Sequence, residues 1–363
     1  MPQSHDSIMT ALRAVTLPDG TNLVDADRVR ALRVEGGRVS FVIEAPDAAT
    51  ARGWSSVEAD AKVRIAALDG VAEVSVVMTA HGPSAPSAPA SAAGGAPNLK
   101  IGRHPTPQQG KTKPQGVKNV IAIASGKGGV GKSTVSANLA VALARQGRKV
   151  GLLDADIYGP SQPRMMGVSK RPASPDGQTI EPLHAHGVTL MSIGFMIPDG
   201  EAVVWRGPML MGAMQQMLGQ VAWGDLDVLL IDMPPGTGDV QLTLGQKTEL
   251  TGALVVSTPQ DVALIDARRG ISMFEKLKVP VLGLIENMST YVCPNCGHEA
   301  HIFGHGGVAA EADKLGVPLL AQLPLALEAR VAGDEGRPVA TTDSPLAAPY
   351  VQLADRLVRG GLA

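Results

Sequence analysis

Eight contiguous residues, Gly126-Lys127-Gly128-Gly129-Val130-Gly131-Lys132-Ser133, carry the pattern G-x-x-x-x-G-K-[ST] with every fixed position filled. Glycines at these positions let backbone N–H groups turn inward around phosphate oxygens, and a helix starting at the loop's end adds the positive end of its dipole. Lys132 is then placed to reach the terminal phosphates of ATP and the Ser133 hydroxyl to ligate Mg²⁺, with Thr134 carrying the site into the helix. Lys127 is the unusual element, a second lysine inside the loop.

Two further segments offer carboxylates. Asp232 follows the apolar run Val228-Leu229-Leu230-Ile231 and opens Asp232-Met233-Pro234-Pro235-Gly236-Thr237-Gly238-Asp239. A carboxylate there suits support of Mg²⁺, directly or through a bound water, and the prolines and glycines after it suit a loop that changes shape with the γ-phosphate. An ordinary strand-end turn is the plainer alternative. Asp154 and Asp156 end another apolar run, in Asp154-Ala155-Asp156-Ile157-Tyr158-Gly159-Pro160-Ser161. One can orient or deprotonate the attacking water while the other supports Mg²⁺ through its waters. Asp156 is assigned to the water, although spacing alone does not separate the roles.

The chain's two cysteines lie in Cys293-Pro294-Asn295-Cys296-Gly297-His298, too few for a disulfide framework. Three chemistries compete for them. A dithiol redox pair normally opens a helix in a thioredoxin-like unit, and this pair lies in a loop. A zinc site has four suitable ligand types in Cys293, Cys296, His298 and His301, but the short spacing after Cys296 makes a strained chelate. A metal cluster shared between two subunits is the third, because a symmetric dimer supplies the four thiolates that one chain lacks.

The elements that position these groups are legible as alternating strands and helices. The run Val120-Ile121-Ala122-Ile123-Ala124 precedes the phosphate loop as a buried strand, and Thr134 to Gln146 follows as a helix with Leu139, Ala140 and Leu143 on one face. Strands are predicted at Lys149 to Leu153, Val228 to Ile231, Ala253 to Ser257, Val281 to Ile285 and Pro318 to Leu323. Their near-continuous Val, Ile and Leu content predicts an α/β fold with a doubly wound parallel sheet, whose ligands bind at the carboxyl ends of the strands. The phosphate loop, Asp154, Asp232 and the segment after Ile285 all fall at such ends.

Residues 81–116 are rich in Pro, Ala, Ser and Gly and read as a flexible tether, leaving a small domain at 1–80 and an ATPase domain at 117–363. In the small domain, Ile8 to Val15 and Val57 to Leu68 are predicted helices, and Val39 to Ile43 and Val71 to Met78 predicted strands, an α+β unit. It has no cysteine, and Glu44, Asp47 and Asp60 read as solvated surface carboxylates. With 44% hydrophobic and 18% charged residues and a formal net charge of -2, the 363-residue chain is expected to be a cytoplasmic enzyme with no nucleic-acid or membrane partner. It has no run of about 20 apolar residues to span a bilayer, and Met1 to Asp6 lacks a secretory pattern. Met209, Met211, Met214 and Met217 read as core, with a pliable client-binding surface as the sharper alternative. Trp205 and Arg206 read as structural, His184, His186 and His305 stay unassigned, and the amphipathic stretch Leu346 to Leu362 is expected to pack on its domain.

The three nucleotide segments together resemble the deviant phosphate-loop ATPases, which include nitrogenase iron protein and the Min and Par partition ATPases. The resemblance implies that Lys127 crosses a dimer interface to phosphates in the other subunit, and so implies a homodimer. Asn287, in Glu286-Asn287-Met288, matches a position that contacts adenine, with a turn-capping asparagine as the alternative. With the Cys293 to Gly297 segment and Ile302-Phe303-Gly304 added, the chain closely resembles the Mrp/ApbC family of iron–sulfur cluster carrier ATPases over nearly its whole length. Residues 1–80 resemble the small domain, related to iron–sulfur assembly factors, that many bacterial members carry. The resemblance implies a labile [4Fe-4S] cluster held by Cys293 and Cys296 of both subunits, received from scaffold or donor proteins and delivered to apoproteins, with slow ATP hydrolysis modulating loading or release. A Min/Par-type positioning ATPase and a zinc-stabilised nucleotide-binding scaffold remain the alternatives.

Overall fold

A computed structural model of the chain describes residues 5–35, 38–46, 50, 53–71, 73–80, 111–196 and 207–363. The expectations for Asp47, for Trp205 and Arg206, and for most of the tether (81–110) fall outside these residues. The chain divides into two compact units, one ending at Ala92 and the other starting at Ala93.

The first unit contains α1 (His5–Arg13), β1 (Val29–Glu35), β2 (Arg38–Ala45), α2 (Ser55–Ala66) and β3 (Glu73–Ala80). Its sheet runs β1-β2-β3, antiparallel then parallel. Alternation along β2 buries Val39, Phe41, Ile43 and Ala45, and α2 buries Val57, Ala61 and Ile65 at helical spacing. Strand β1 was not anticipated, because Arg30, Arg33 and Glu35 break its apolar pattern. Glu44 pairs with Arg30 at 3.1 Å and Asp60 with Arg64 at 2.9 Å, surface bridges of the kind that contribute little.

The second unit starts with β4 (Val117–Ser125), α3 (Lys132–Arg145), β5 (Val150–Asp154), α4 (Gln162–Met165), β6 (Leu183–Ala185) and β7 (Val188–Ser192). It continues with α5 (Gly207–Gly219), β8 (Leu226–Asp232), α6 (Asp239–Lys247), β9 (Gly252–Ser257), α7 (Asp261–Lys276), β10 (Val281–Val292) and β11 (Glu299–Ala300). It closes with α8 (Gly307–Leu315), β12 (Leu319–Leu325), α9 (Leu327–Asp334) and α10 (Ala348–Arg359). The sheet order is β11-β10-β9-β4-β8-β5-β7-β6, with β12 also paired to β10. All pairings are parallel except β6–β7 and β10–β11, so the expected α/β sheet is present with two antiparallel additions.

Wholly buried strands such as β5 and β9 carry the continuous apolar runs that predicted them. The central strands of the sheet, with Leu139, Ala140 and Leu143 of α3, form one hydrophobic core. Met214 and Met217 of α5 are buried in it, while Met209 and Met211 are half-buried, which bears out the core reading. Helix α10 buries Tyr350, Leu353, Ala354 and Leu357 against the same unit, and Arg356 donates to the carbonyls of Leu319 and Leu320. No helix among the described residues is long and apolar enough to cross a membrane. Strand β10 runs seven residues beyond its predicted end at Ile285, to Val292, because Tyr291 and Val292 pair with β11.

Candidate functional site

The phosphate loop leaves β4 at Ser125 and enters α3 at Lys132. Gly129 and Gly131 both take φ of 81°, the left-handed region that glycine reaches without strain. At Gly131 a side chain would also strike the Asn287 amide, and at Gly126 it would overlap the backbone of Asp266, so α7 lies directly against the loop. No side chain caps the first turn of α3 and no acidic residue sits in it, which leaves its amides and dipole end for an anion.

Sheet register brings the carboxylates together. Asp154 of β5 pairs with Asp232 of β8, and Ser192 of β7 pairs with Asp154 on its other side. Lys132 Nζ donates to Asp232 Oδ1 at 2.7 Å, with the lysine 5% exposed and the aspartate wholly buried. The Ser136 hydroxyl donates to the same oxygen at 2.9 Å, and Gln162 Nε2 to Asp232 Oδ2 at 2.9 Å. Asp154 Oδ2 accepts from the Gln162 N–H and the Ser192 hydroxyl, both at 3.0 Å.

Burial, aided by the Asp232 charge alongside, pushes the Asp154 carboxyl up to about 7. Burial also raises Asp156 above the ordinary carboxylate range, against the opposing pull of Lys132. A half-buried acid of raised pKa beside a phosphate loop is a stronger base than a free carboxylate and can take a proton from water there. Lys127 is half-buried, and its ammonium has no hydrogen-bond or ion-pair partner among the described residues.

Asn287 Nδ2 donates to the Val130 carbonyl at 2.8 Å, so β10 grips the phosphate loop at that point. The next residue, Met288, takes φ of 58°, an uncommon conformation for a side chain of its size. With Gly131, Thr134, Pro324 and Leu325 these two residues line a cavity of about 560 Å³.

The cysteines occupy the turn between β10 and β11. Cys293 N–H donates to the His298 carbonyl at 2.9 Å and Gly297 N–H to the Cys293 carbonyl at 2.8 Å. Backbone N–H groups of Asn295 and Cys296, with the Cys296 thiol, hold the Cys293 sulfur below the ordinary thiol range. Cys293 is half-buried and Cys296 exposed. His301 bonds through Nδ1 to the Ser289 carbonyl at 3.0 Å and packs against His305 with ring centroids 4.2 Å apart and planes tilted by 52°. Among the described residues no three His, Cys, Asp or Glu side chains are gathered to hold a metal ion, so the four-ligand zinc site weighed from the sequence is not assembled.

Sequence reasoning missed Gln162, Ser136 and Ser192, which tie the carboxylates together, because no motif includes them. For Ser136 and Ser192 the only sequence signal is polarity between core residues, and Gln162, between Ser161 and Pro163, has not even that.

A family model described as NUBPL iron-transfer P-loop NTPase matches residues 116–358, and one described as iron-sulfur cluster assembly protein matches residues 5–76. An iron-sulfur cluster carrier protein from Pseudomonas fragi is 55% identical over 248 residues, 67% of this chain and 86% of the relative. One from Synechocystis is 44% identical over 340 residues, covering 92% of this chain and 90% of the relative. Among solved structures, a nucleotide-binding protein from Archaeoglobus fulgidus in complex with ADP superposes with a TM-score of 0.57 at 40% identity, over 65% of this chain and 92% of that one.

Proposed function

The chain belongs to the NUBPL iron-transfer P-loop NTPase family, and from that premise we propose that it is an ATP-hydrolysing carrier of iron–sulfur clusters acting in the cytoplasm. A homodimer holds a labile [4Fe-4S] cargo between the Cys293 and Cys296 pairs of its two subunits and passes it to apoproteins. The observation that carries this reading is one strand with two ends of use. β10 bonds the phosphate loop through Asn287 and delivers Cys293 at its tip, six residues on and at most about 20 Å of extended chain away.

The roles follow from chemistry. Gly126 to Thr134 surround the phosphates, and Lys132 exchanges Asp232 for them. Asn287 faces adenine across the 560 Å³ cavity, and Lys127, whose ammonium has no partner among the described residues, reaches the neighbouring subunit's phosphates. Asp156 accepts the proton of the attacking water. The donor set suits Mg²⁺, since Ser133, Asp154 and Asp232 are hard oxygens, and too few to cage a cation without phosphates and waters. Bound there, Mg²⁺ would neutralise charge on the phosphate oxygens. The carrier role is assigned to the 117–363 ATPase; the 1–80 unit matches an iron-sulfur cluster assembly model, and the 81–116 tether joins the two, its end pairing Thr112 with Thr248 of the ATPase unit.

Anaerobic reconstitution with iron and sulfide is the test. Charge-transfer absorbance with about two iron and two sulfide per chain, lost in the Cys293→Ala, Cys296→Ala double variant, is expected. ATP turnover without cluster uptake would instead return the protein to the positioning-ATPase class.

A further inference from the structure

Gln162 is wholly buried at the first position of α4, and its N–H and Nε2 make three hydrogen bonds. Its N–H donates to Asp154 Oδ2 at 3.0 Å, and its Nε2 donates both to Asp232 Oδ2 at 2.9 Å and to the Ser133 carbonyl at 3.0 Å. One residue therefore touches both strand-end carboxylates, Asp154 through its backbone and Asp232 through its side chain, and its side chain also holds the carbonyl of Ser133, the residue assigned to Mg²⁺. Its Oε1 is buried with no partner, and so is the hydroxyl oxygen of the adjacent Ser161.

Burying an amide is costly unless its groups are paired, and an acceptor left unpaired carries its full desolvation cost. Methionine or leucine would fill the same space without that cost. An acceptor kept there needs a donor, and none of the described residues donates to it. Phosphate oxygens only accept, so the nucleotide's phosphates cannot satisfy Oε1. A water polarised by a divalent cation donates, and Mg²⁺ keeps several such waters when it binds beside phosphates.

The geometry points to Gln162 as a positioning residue of the magnesium site, fixing Asp232 through Nε2 and accepting a hydrogen bond at Oε1 from a water of the cation. The inference rests on the Mg²⁺–ATP reading above. It also accounts for the second carboxylate oxygen: when Lys132 turns to the phosphates, Asp232 Oδ1 keeps Ser136 and Oδ2 keeps Gln162, so the carboxylate holds its place.

The test compares wild type with Gln162→Met, which keeps the shape and removes the amide. Binding of a fluorescent ADP is measured in Mg²⁺ and in EDTA, and Mn²⁺ affinity in the presence of ADP is followed by electron paramagnetic resonance. Mn²⁺ affinity and the Mg²⁺-dependent part of ADP binding are expected to fall about 10- to 100-fold, as for other groups that orient metal ligands, with binding in EDTA unchanged. Gln162→Asn keeps the amide but falls one methylene short, and it is expected to show the same loss if the methionine variant does not fold. Mn²⁺ affinity within about twofold of wild type in a folded variant overturns the inference. So does an equal loss with and without metal, which marks a purely structural role. A wild-type protein that gains nothing from Mg²⁺ sinks the underlying nucleotide reading instead, and this inference with it.

Discussion

The phosphate loop and the cysteine turn sit on one sheet and are built in opposite ways. At the loop the buried charges and several polar groups around them are already paired inside the chain: Lys132 with Asp232, Ser136 with Asp232, Asn287 with Val130. At the turn, two backbone bonds hold the loop closed while Cys296 faces solvent between Val292 and Ile302, which are 53% and 58% exposed. The first site has its buried ion pair made by its own fold, and a phosphate that takes Lys132 must displace Asp232. The second offers two thiolates, which on the proposed reading are half of the ligands a cluster takes. A carrier gains from this division, because a cargo bound at an exposed turn can leave without unfolding anything.

Replacing Lys132 tests how independent the two regions are, and it has the largest expected effect. Lys132→Met leaves Asp232 buried without its counter-charge, which costs about 3–5 kcal/mol for a buried pair broken on one side. Chemical denaturation is expected to show that loss together with loss of nucleotide binding, while iron uptake per folded chain stays at the wild-type level. A matching fall in iron uptake would show that the turn depends on the loop's charge network, and the contrast drawn above would fail.

Acidity separates the regions next. The folded protein holds Asp154 protonated more readily than the unfolded chain does, because burial and Asp232 raise its carboxyl to about 7. The folded state therefore binds the extra proton between the unfolded value of about 3.9 and about 7. Stability is expected to fall as pH rises through that window, and Asp154→Asn to flatten the slope. Urea melts at a series of pH values check it; a slope unchanged in the variant would place the titration elsewhere.

Much of this contrast was legible in the sequence, for a physical reason. The phosphate loop is contiguous, so spacing alone placed Gly126 to Ser133, and apolar runs marked where Asp154 and Asp232 end their strands. Long-range pairing was not legible. Gln162 reaches Asp232, seventy residues on, only because β5 lies beside β8 in a register that aligns Asp154 with Asp232. Strands β6 and β7 were missed because the histidines around their turn read as scattered, and β11 because two residues are too short a run to show a period. The cysteine spacing was plain, but that backbone amides aim at the Cys293 sulfur depends on a turn that only the hairpin fixes.

The smallest effect lies where the two regions meet. Helix α7 abuts the phosphate loop at Gly126, and α8 follows the cysteine turn; Arg268 of α7 joins them with two 2.6 Å bonds to Glu311 of α8. Arg268 is about half exposed while Glu311 is buried, so solvent weakens the pair, and Arg268→Met is expected to cost about 1–2 kcal/mol, chiefly from the carboxylate left without its partner. The bidentate arginine holds the Glu311 carboxyl below the ordinary range. Its contribution is thus complete above the unfolded value of about 4.3 and is lost as pH falls through the lower folded value. Wild type and variant are therefore expected to differ in melting temperature at neutral pH and to converge in acid. If the bridge also ties the phosphate loop to the cysteine turn, the variant changes how much ATP alters cluster release, with nucleotide binding itself unchanged. An ATP effect on release equal to wild type would leave β10 as the route between them.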